Sequence, residues 1–193
     1  MKDKIRLRID IVRPLLKDPV PAVRTAAAEA IEKLEATGNV AQILATLKAG
    51  DMGARIGAIY ALGEIGGEEV LPPLAYCARR PEVDIRSAAA AALGKLALPA
   101  ALPVLMALLD DTDPAVQERA IAGLRNFPGT PEVCARLRHF LDMEDGLREG
   151  EAALTLAVLK DLNSLKQICA LLTSPHASTR QSAATALGLM PLQ

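Results

Sequence analysis

The stretch from Asp84 to Leu96, "DIRSAAAAALGKL", sets one arginine beside five consecutive alanines. Alanine loses no side-chain entropy in a helix, so the segment forms one readily. The resulting helix has little apolar surface of its own to bury. An element this thin is stable only against close neighbours, and the same frame recurs along the chain. "VRTAAAEAIEKL" (23–34), "ARIGAIYALGEI" (54–65), "VQERAIAGLRNF" (116–127), "LREGEAALTLAV" (147–158) and "TRQSAATALGLM" (179–190) align with "IRSAAAAALGKL" (85–96) without gaps. The leading polar residue falls at Arg24, Arg55, Arg86, Gln117, Arg148 and Arg180, giving steps of 31, 31, 31, 31 and 32 residues. A fixed period of this length is the signature of a stacked array, in which each unit buries its stripe against the next.

Counting from that polar residue, the third position holds Ala27, Ala58, Ala89, Ala120, Glu151 and Ala183. The seventh holds Ile31, Leu62, Leu93, Leu124, Thr155 and Leu187, and the tenth holds Leu34, Ile65, Leu96, Phe127, Val158 and Met190. Offsets of 3, 7 and 10 mark one face of a helix with about 3.6 residues per turn. Between these segments lies a second apolar series, as in Val40, Ile43, Leu44 and Leu47 or Leu102, Leu105, Met106 and Leu109. Ile9, Val12 and Leu16 add one more helix at the start, so six helix pairs are expected. Asp113-Pro114 reads as a cap followed by proline at the first helical position. Asp18, Asp51, Asp84 and Asp145 stand at comparable starts, and Gly38, Gly50, Gly66, Gly67 and Gly129 read as connections. No alternating strand pattern occurs.

The frame "DPAVQERAIAGL" and the stretch "VDIRSAAAAALGKLALPAALPVLMALLDD" resemble the short HEAT-like repeats of the phycobilin-lyase type, over essentially the whole chain. The 31-residue period is shorter than the roughly 40 to 47 residues of standard HEAT or armadillo units. The resemblance implies an all-α, right-handed α-solenoid of about six HEAT-like helix pairs, forming a single repeat domain over 1–193. It also implies that the "VRxxAA" helices line a concave side. Relatives of this kind include interaction scaffolds, chromophore lyases, a di-iron hydroxylase and DNA glycosylases, so the fold does not fix the function.

Composition narrows the classes. Net charge is −1 with a pI near 6.2. Lys and Arg against Asp and Glu stand at 14 to 12 over residues 1–96 and 8 to 11 over 97–193, so neither half is basic enough to favour nucleic acid. The basic opening "MKDKIRLRIDIVRPLLKD" is interrupted by charges and reads as no export signal. No segment approaches the roughly 20 apolar residues of a membrane span. Cys77, Cys134 and Cys169 form no CxxC pair and point to reduced thiols in a cytoplasmic setting, with Cys134 and Cys169 on buried stripe positions. His139 and His176 are not followed by glutamate, which argues against the di-iron hydroxylase, and no metal or cofactor is expected.

The arginine column reads as a structural ladder bonding an Asp or a carbonyl of a neighbouring unit. One turn further along, Glu29, Tyr60, Ala91, Ala122, Ala153 and Thr185 form a second column. Beside it run Ala26, Gly57, Ala88, Arg119, Gly150 and Ser182. Together they would make a shallow floor able to accept a helix or extended peptide. Tyr60 and Arg119 would be its anchors, and Glu29, Ala91 and Ala122 further contacts. Close packing between adjacent helices is the competing reading of the same small residues. The expected activity is non-catalytic binding of a protein or peptide, with a chromophore-lyase-like subunit as the enzymatic alternative. Leu187, Leu189, Met190 and Leu192 lack polar cover and suggest self-association through the C-terminal end, whereas Lys2, Lys4, Arg6, Arg8 and Arg13 give the first helix a polar outer face.

Overall fold

The structure, a computed structural model, describes residues 2–191, with side chains apart from those of 2–4, 36 and 37. The described residues are helical and contain no strand. They fall into two compact units divided between Ile65 and Gly66. Gly66 and Gly67 both take positive φ, 73° and 89°, a backbone region that glycine enters without a Cβ penalty.

The first unit holds α1 (Lys2–Val12), a 3-10 turn (Arg13–Lys17), α2 (Pro21–Ala49) and α3 (Met52–Ile65). The expected connection at Gly38 does not exist: α2 runs unbroken for 29 residues, about 43 Å. Three other helix junctions have proline in or beside them, at Pro72, Pro99 and Pro131, whereas the one after Val158 turns without proline through Lys160, at φ 59°. Around Gly38 there is no proline, and one glycine costs a helix only about 1 kcal/mol. Gly38 faces α1, where an added Cβ would stand 3.9 Å from Ile5. In α1, Ile9 is buried and Val12 half-buried, as the stripe predicts, but Leu16 is exposed. The outer face is not purely polar either, because Leu7 and Ile11 are exposed on it.

The second unit alternates short and longer helices: α4 (Leu71–Cys77), α5 (Val83–Leu96), α6 (Leu102–Leu108), α7 (Pro114–Leu124), α8 (Pro131–Arg138), α9 (Arg148–Val158), α10 (Leu165–Ala170) and α11 (Ala177–Leu189). The repeat helices α5, α7, α9 and α11 pack in sequence, each on the next. Asp113 caps α7 by accepting from the Ala115 NH at 2.9 Å, and Thr130 caps α8 through the Val133 NH at 3.3 Å. Asp84 lies inside the first turn of α5 rather than capping it.

The alanine column is core: Ala27, Ala58, Ala89, Ala120 and Ala183 are all buried, as are Leu93 and Leu124. At α9 the face turns by about one residue. Leu156 is buried while Val158 is 45% exposed, and Thr155, in the leucine column, donates its hydroxyl to the Ile121 carbonyl at 3.1 Å. Cys77 and Cys134 are buried, but Cys169 is exposed, because Ile168 takes the inward position of the six-residue α10. At the C-terminal end Met190 is buried and Leu187 half-buried, so only Leu189 is open there; Leu192 lies outside the described residues.

Helices α5 and α7 approach closely where Gly94 meets Gly123. A Cβ on Gly94 would come within 2.4 Å of the Gly123 Cα, a backbone atom that cannot step aside. Glycine-to-alanine changes therefore have opposite signs at two helical sites. Gly38→Ala is expected to stabilise the chain by about 0.5 to 1 kcal/mol through helix propensity. Gly94→Ala is expected to cost about 1 to 3 kcal/mol through overpacking. Thermal melts of the two variants check both, and a rise in melting temperature for Gly94→Ala would contradict the close crossing.

Candidate binding groove

The arginine column is fixed by a repeated hydrogen-bond pattern. Arg24 Nη1 donates to the carbonyls of Asp18 and Pro19, Arg86 Nη1 to those of Arg80 and Pro81, and Arg180 Nη1 to those of Ser174 and Pro175, at 2.7 to 3.1 Å. In each case the acceptors lie six and five residues back, in the turn that leads into the arginine's own helix. Gln117 keeps the pattern without charge, since its Nε2 donates to the carbonyls of Leu109 and Asp111 at 3.0 and 2.8 Å. Its Oε1 accepts from Arg148, which carries the ladder from α7 to α9.

Arg86 also grips Asp111, in the turn before the next repeat helix, through Nε and Nη2 at 2.7 and 2.9 Å. Burial pushes the Asp111 carboxyl up, but the bidentate guanidinium and the Asp113 NH outweigh it and hold it below the ordinary carboxylate value. Asp145 behaves likewise: burial opposes ionisation, while the Glu149 side chain, the NH groups of Arg148 and Leu147 and the Arg148 guanidinium bring it to about 2. Glu151, in the alanine column, pairs with Arg125, yet burial pushes its carboxyl up.

The floor columns divide. Ala91, Arg119 and Ala122 come together on α5 and α7, where with Lys95 and Asn126 they line an open trough of about 600 Å³. Ala91 and Ala122 are half-buried and the Arg119 side chain is 53% exposed, 3.5 Å from Glu118. Asn126 Nδ2 donates to the Gly94 carbonyl at 3.0 Å and fixes one wall. Glu29 and Tyr60 are exposed in the first unit, on α2 and α3. Ala88, Gly150 and Ala153 are instead buried packing residues. Gly150 shows why: a Cβ there would stand 3.1 Å from Ser182 Oγ of α11. Sequence reasoning missed Glu149, a buried glutamate whose partners lie outside its own repeat segment. None of the described helices is long and apolar enough to cross a membrane.

A family model for HEAT repeats matches residues 9–93 and 75–157. The chain belongs to the HEAT repeat family. No curated protein matches it. Among solved structures, these HEAT repeats are similar to a chain in the complex of CpcE and CpcF of phycocyanin lyase from Nostoc sp. PCC7120. That match has 20% identity and a TM-score of 0.69 and covers 80% of this chain; the chain spans 65% of the length of that neighbour. The E. coli protein YIBA matches at 18% identity and a TM-score of 0.60, over 98% of this chain and 70% of its own. Computationally designed armadillo repeat proteins for modular peptide recognition match at 19% and 0.55, over 95% and 99%. At these identities the likeness is one of fold, a helical repeat solenoid.

The Arg86 to Asp111 clamp gives these HEAT repeats a pH signature. Asp111 has a lowered folded-state pKa, so its contribution is present above about pH 4 and lost as pH falls through that lowered value. The urea midpoint is expected to drop as the pH falls below about 4. Asp111→Asn is expected to cost about 1 to 2 kcal/mol at neutral pH and to make that drop shallower. An unchanged pH profile in the variant would show that the clamp carries no stability.

Proposed function

We propose that the chain is an interaction scaffold that holds a segment of a partner protein along the trough on α5 and α7. The observation that carries this reading is the open floor of Ala91 and Ala122 with the exposed Arg119 at its side. Small side chains let a partner's backbone approach closely, while Arg119 offers a charged anchor for a carboxylate or carbonyl. Exposed Glu29 and Tyr60 hold the corresponding repeat positions in the first unit and are proposed as contacts of that unit by itself. Designed armadillo repeats for modular peptide recognition share the fold, which supports a peptide as the simplest occupant.

A second reading, a chromophore-lyase-like subunit, is favoured by the structural match to the phycocyanin lyase chain. Co-expression with a bilin source separates the two, since bound bilin absorbance would favour the lyase.

Capture from native lysate on the immobilised chain tests the scaffold. Arg119→Glu is expected to reduce the captured partner about fivefold or more, with little change in melting temperature, because the side chain is exposed. Ala91→Glu is expected to reduce it about tenfold or more by placing an unpaired charge in the contact. Undiminished capture in both variants, with a large loss of stability, would assign these residues to packing alone.

A further inference from the structure

Glu149, the second residue of α9, is 1% exposed. Its Oε1 accepts from the Gly146 NH at 2.7 Å and from Thr179 Oγ1 at 2.8 Å. Its Oε2 is equally buried and receives no hydrogen bond from an N–H or hydroxyl group; the neighbouring acidic side chain is Asp145. A buried carboxylate oxygen without a donor is costly, so a cation or a proton is needed to complete it. The same side chain lines a cavity of about 310 Å³ between the turn His139–Asp142, α10 and the turn Leu171–Thr173. This cavity shares no lining residue with the α5 to α7 trough. Asp142 and Glu144, both exposed, add two carboxyls to its wall, and Ser174 adds a hydroxyl. Leu141, Met143 and Leu171 supply apolar surface, and among the described residues no Lys, Arg or His lines it.

The chemistry narrows the occupant. Among the described residues no group of three His, Cys, Asp or Glu could hold a metal ion, so a bare divalent cation lacks its ligand set. With Oε1 already committed, only one carboxylate oxygen is open. That suits the compact charge of an ammonium better than a guanidinium, whose strongest grip on a carboxylate uses both oxygens. Apolar walls suit an alkyl stem.

We propose that this cavity binds a primary ammonium group on an alkyl stem, with Glu149 Oε2 as its acceptor and Asp142 and Glu144 drawing it in at the mouth. The ammonium belongs either to a free alkylamine or to a lysine side chain of a polypeptide. A proton shared with the neighbouring Asp145 carboxyl is the competing way to neutralise Glu149.

The test is a chemical-shift titration of the full chain at neutral pH with n-butylammonium chloride, n-butanol, Nα-acetyl-lysine methylamide and its Nε-acetylated form. Butylammonium is expected to shift the amides around Glu149 and Ser174 saturably, and butanol to bind about tenfold more weakly or less. Nε-acetylation is expected to weaken the lysine derivative by a similar factor. Glu149→Gln is expected to abolish the preference for the charged ligands. Should that variant not fold, Asp142→Asn and Glu144→Gln, at exposed positions, are each expected to weaken butylammonium about two- to fivefold. Equal affinity for butylammonium and the lysine derivative points to a free amine; a tighter lysine derivative points to a polypeptide. Butylammonium no tighter than butanol overturns the proposal. So does a protonated Glu149 carboxyl in 13C spectra that stays protonated at saturating butylammonium.

Discussion

The tie that Arg24, Arg86 and Arg180 each make to the turn before their own helix is the constraint on which the rest of the arrangement rests. Thin, alanine-rich helices cannot choose their angle by shape alone, because alanine offers few ridges to lock into grooves. A guanidinium reaching back to carbonyls six and five residues earlier fixes where the chain enters each helix. It also satisfies acceptors that the turn leaves open. Once the entry is fixed, the alanine column can close against the neighbouring helix, down to the near-contact of Gly94 and Gly123. Asp111 and Gln117 then link one turn to the next repeat helix, so that clamp and packing reinforce each other.

Much of this was legible because the pattern is local. A helix face repeats every few residues, and the buried alanines and leucines of α3, α5 and α7 lie where the offsets of 3 and 7 put them. The structural role of the arginine column was legible too, but its carbonyl acceptors lie five and six residues back in the arginine's own turn and not in a neighbouring unit, where only the Arg86 to Asp111 bond meets the expectation. The unbroken α2 was only partly open to inference: the Gly38 region lacks the proline found at three junctions, but so does the α9 to α10 junction, which breaks at Lys160 with positive φ.

What the periodicity could not supply depends on contacts across repeats. Glu149 is buried because Thr179, thirty residues away, donates to it, and Gly150 is packing because Ser182 lies against it. The turned face of α9 and the outward Cys169 arise from the same source. A one-residue change of register rotates a helix by about 100°, which leaves the apolar pattern plausible while changing which residues meet. The groove columns failed at Ala88, Gly150 and Ala153 for this reason, since a small residue can mark an open floor or a closed seam equally well.

The six-residue reach of the ladder bears on how such a chain can grow. Because Arg24, Arg86 and Arg180 find carbonyl acceptors inside their own turns, a duplicated 31-residue segment of that kind brings its entry clamp with it and asks nothing new of the host. Bonds of the Arg86 to Asp111 kind behave differently, for they join one copy to the next and survive only if the following copy supplies the aspartate. Lengthening by duplication is therefore inexpensive at the level of the single repeat, and it is the seams between copies that diverge, as the glutamine at position 117 and the acidic start of α9 already do.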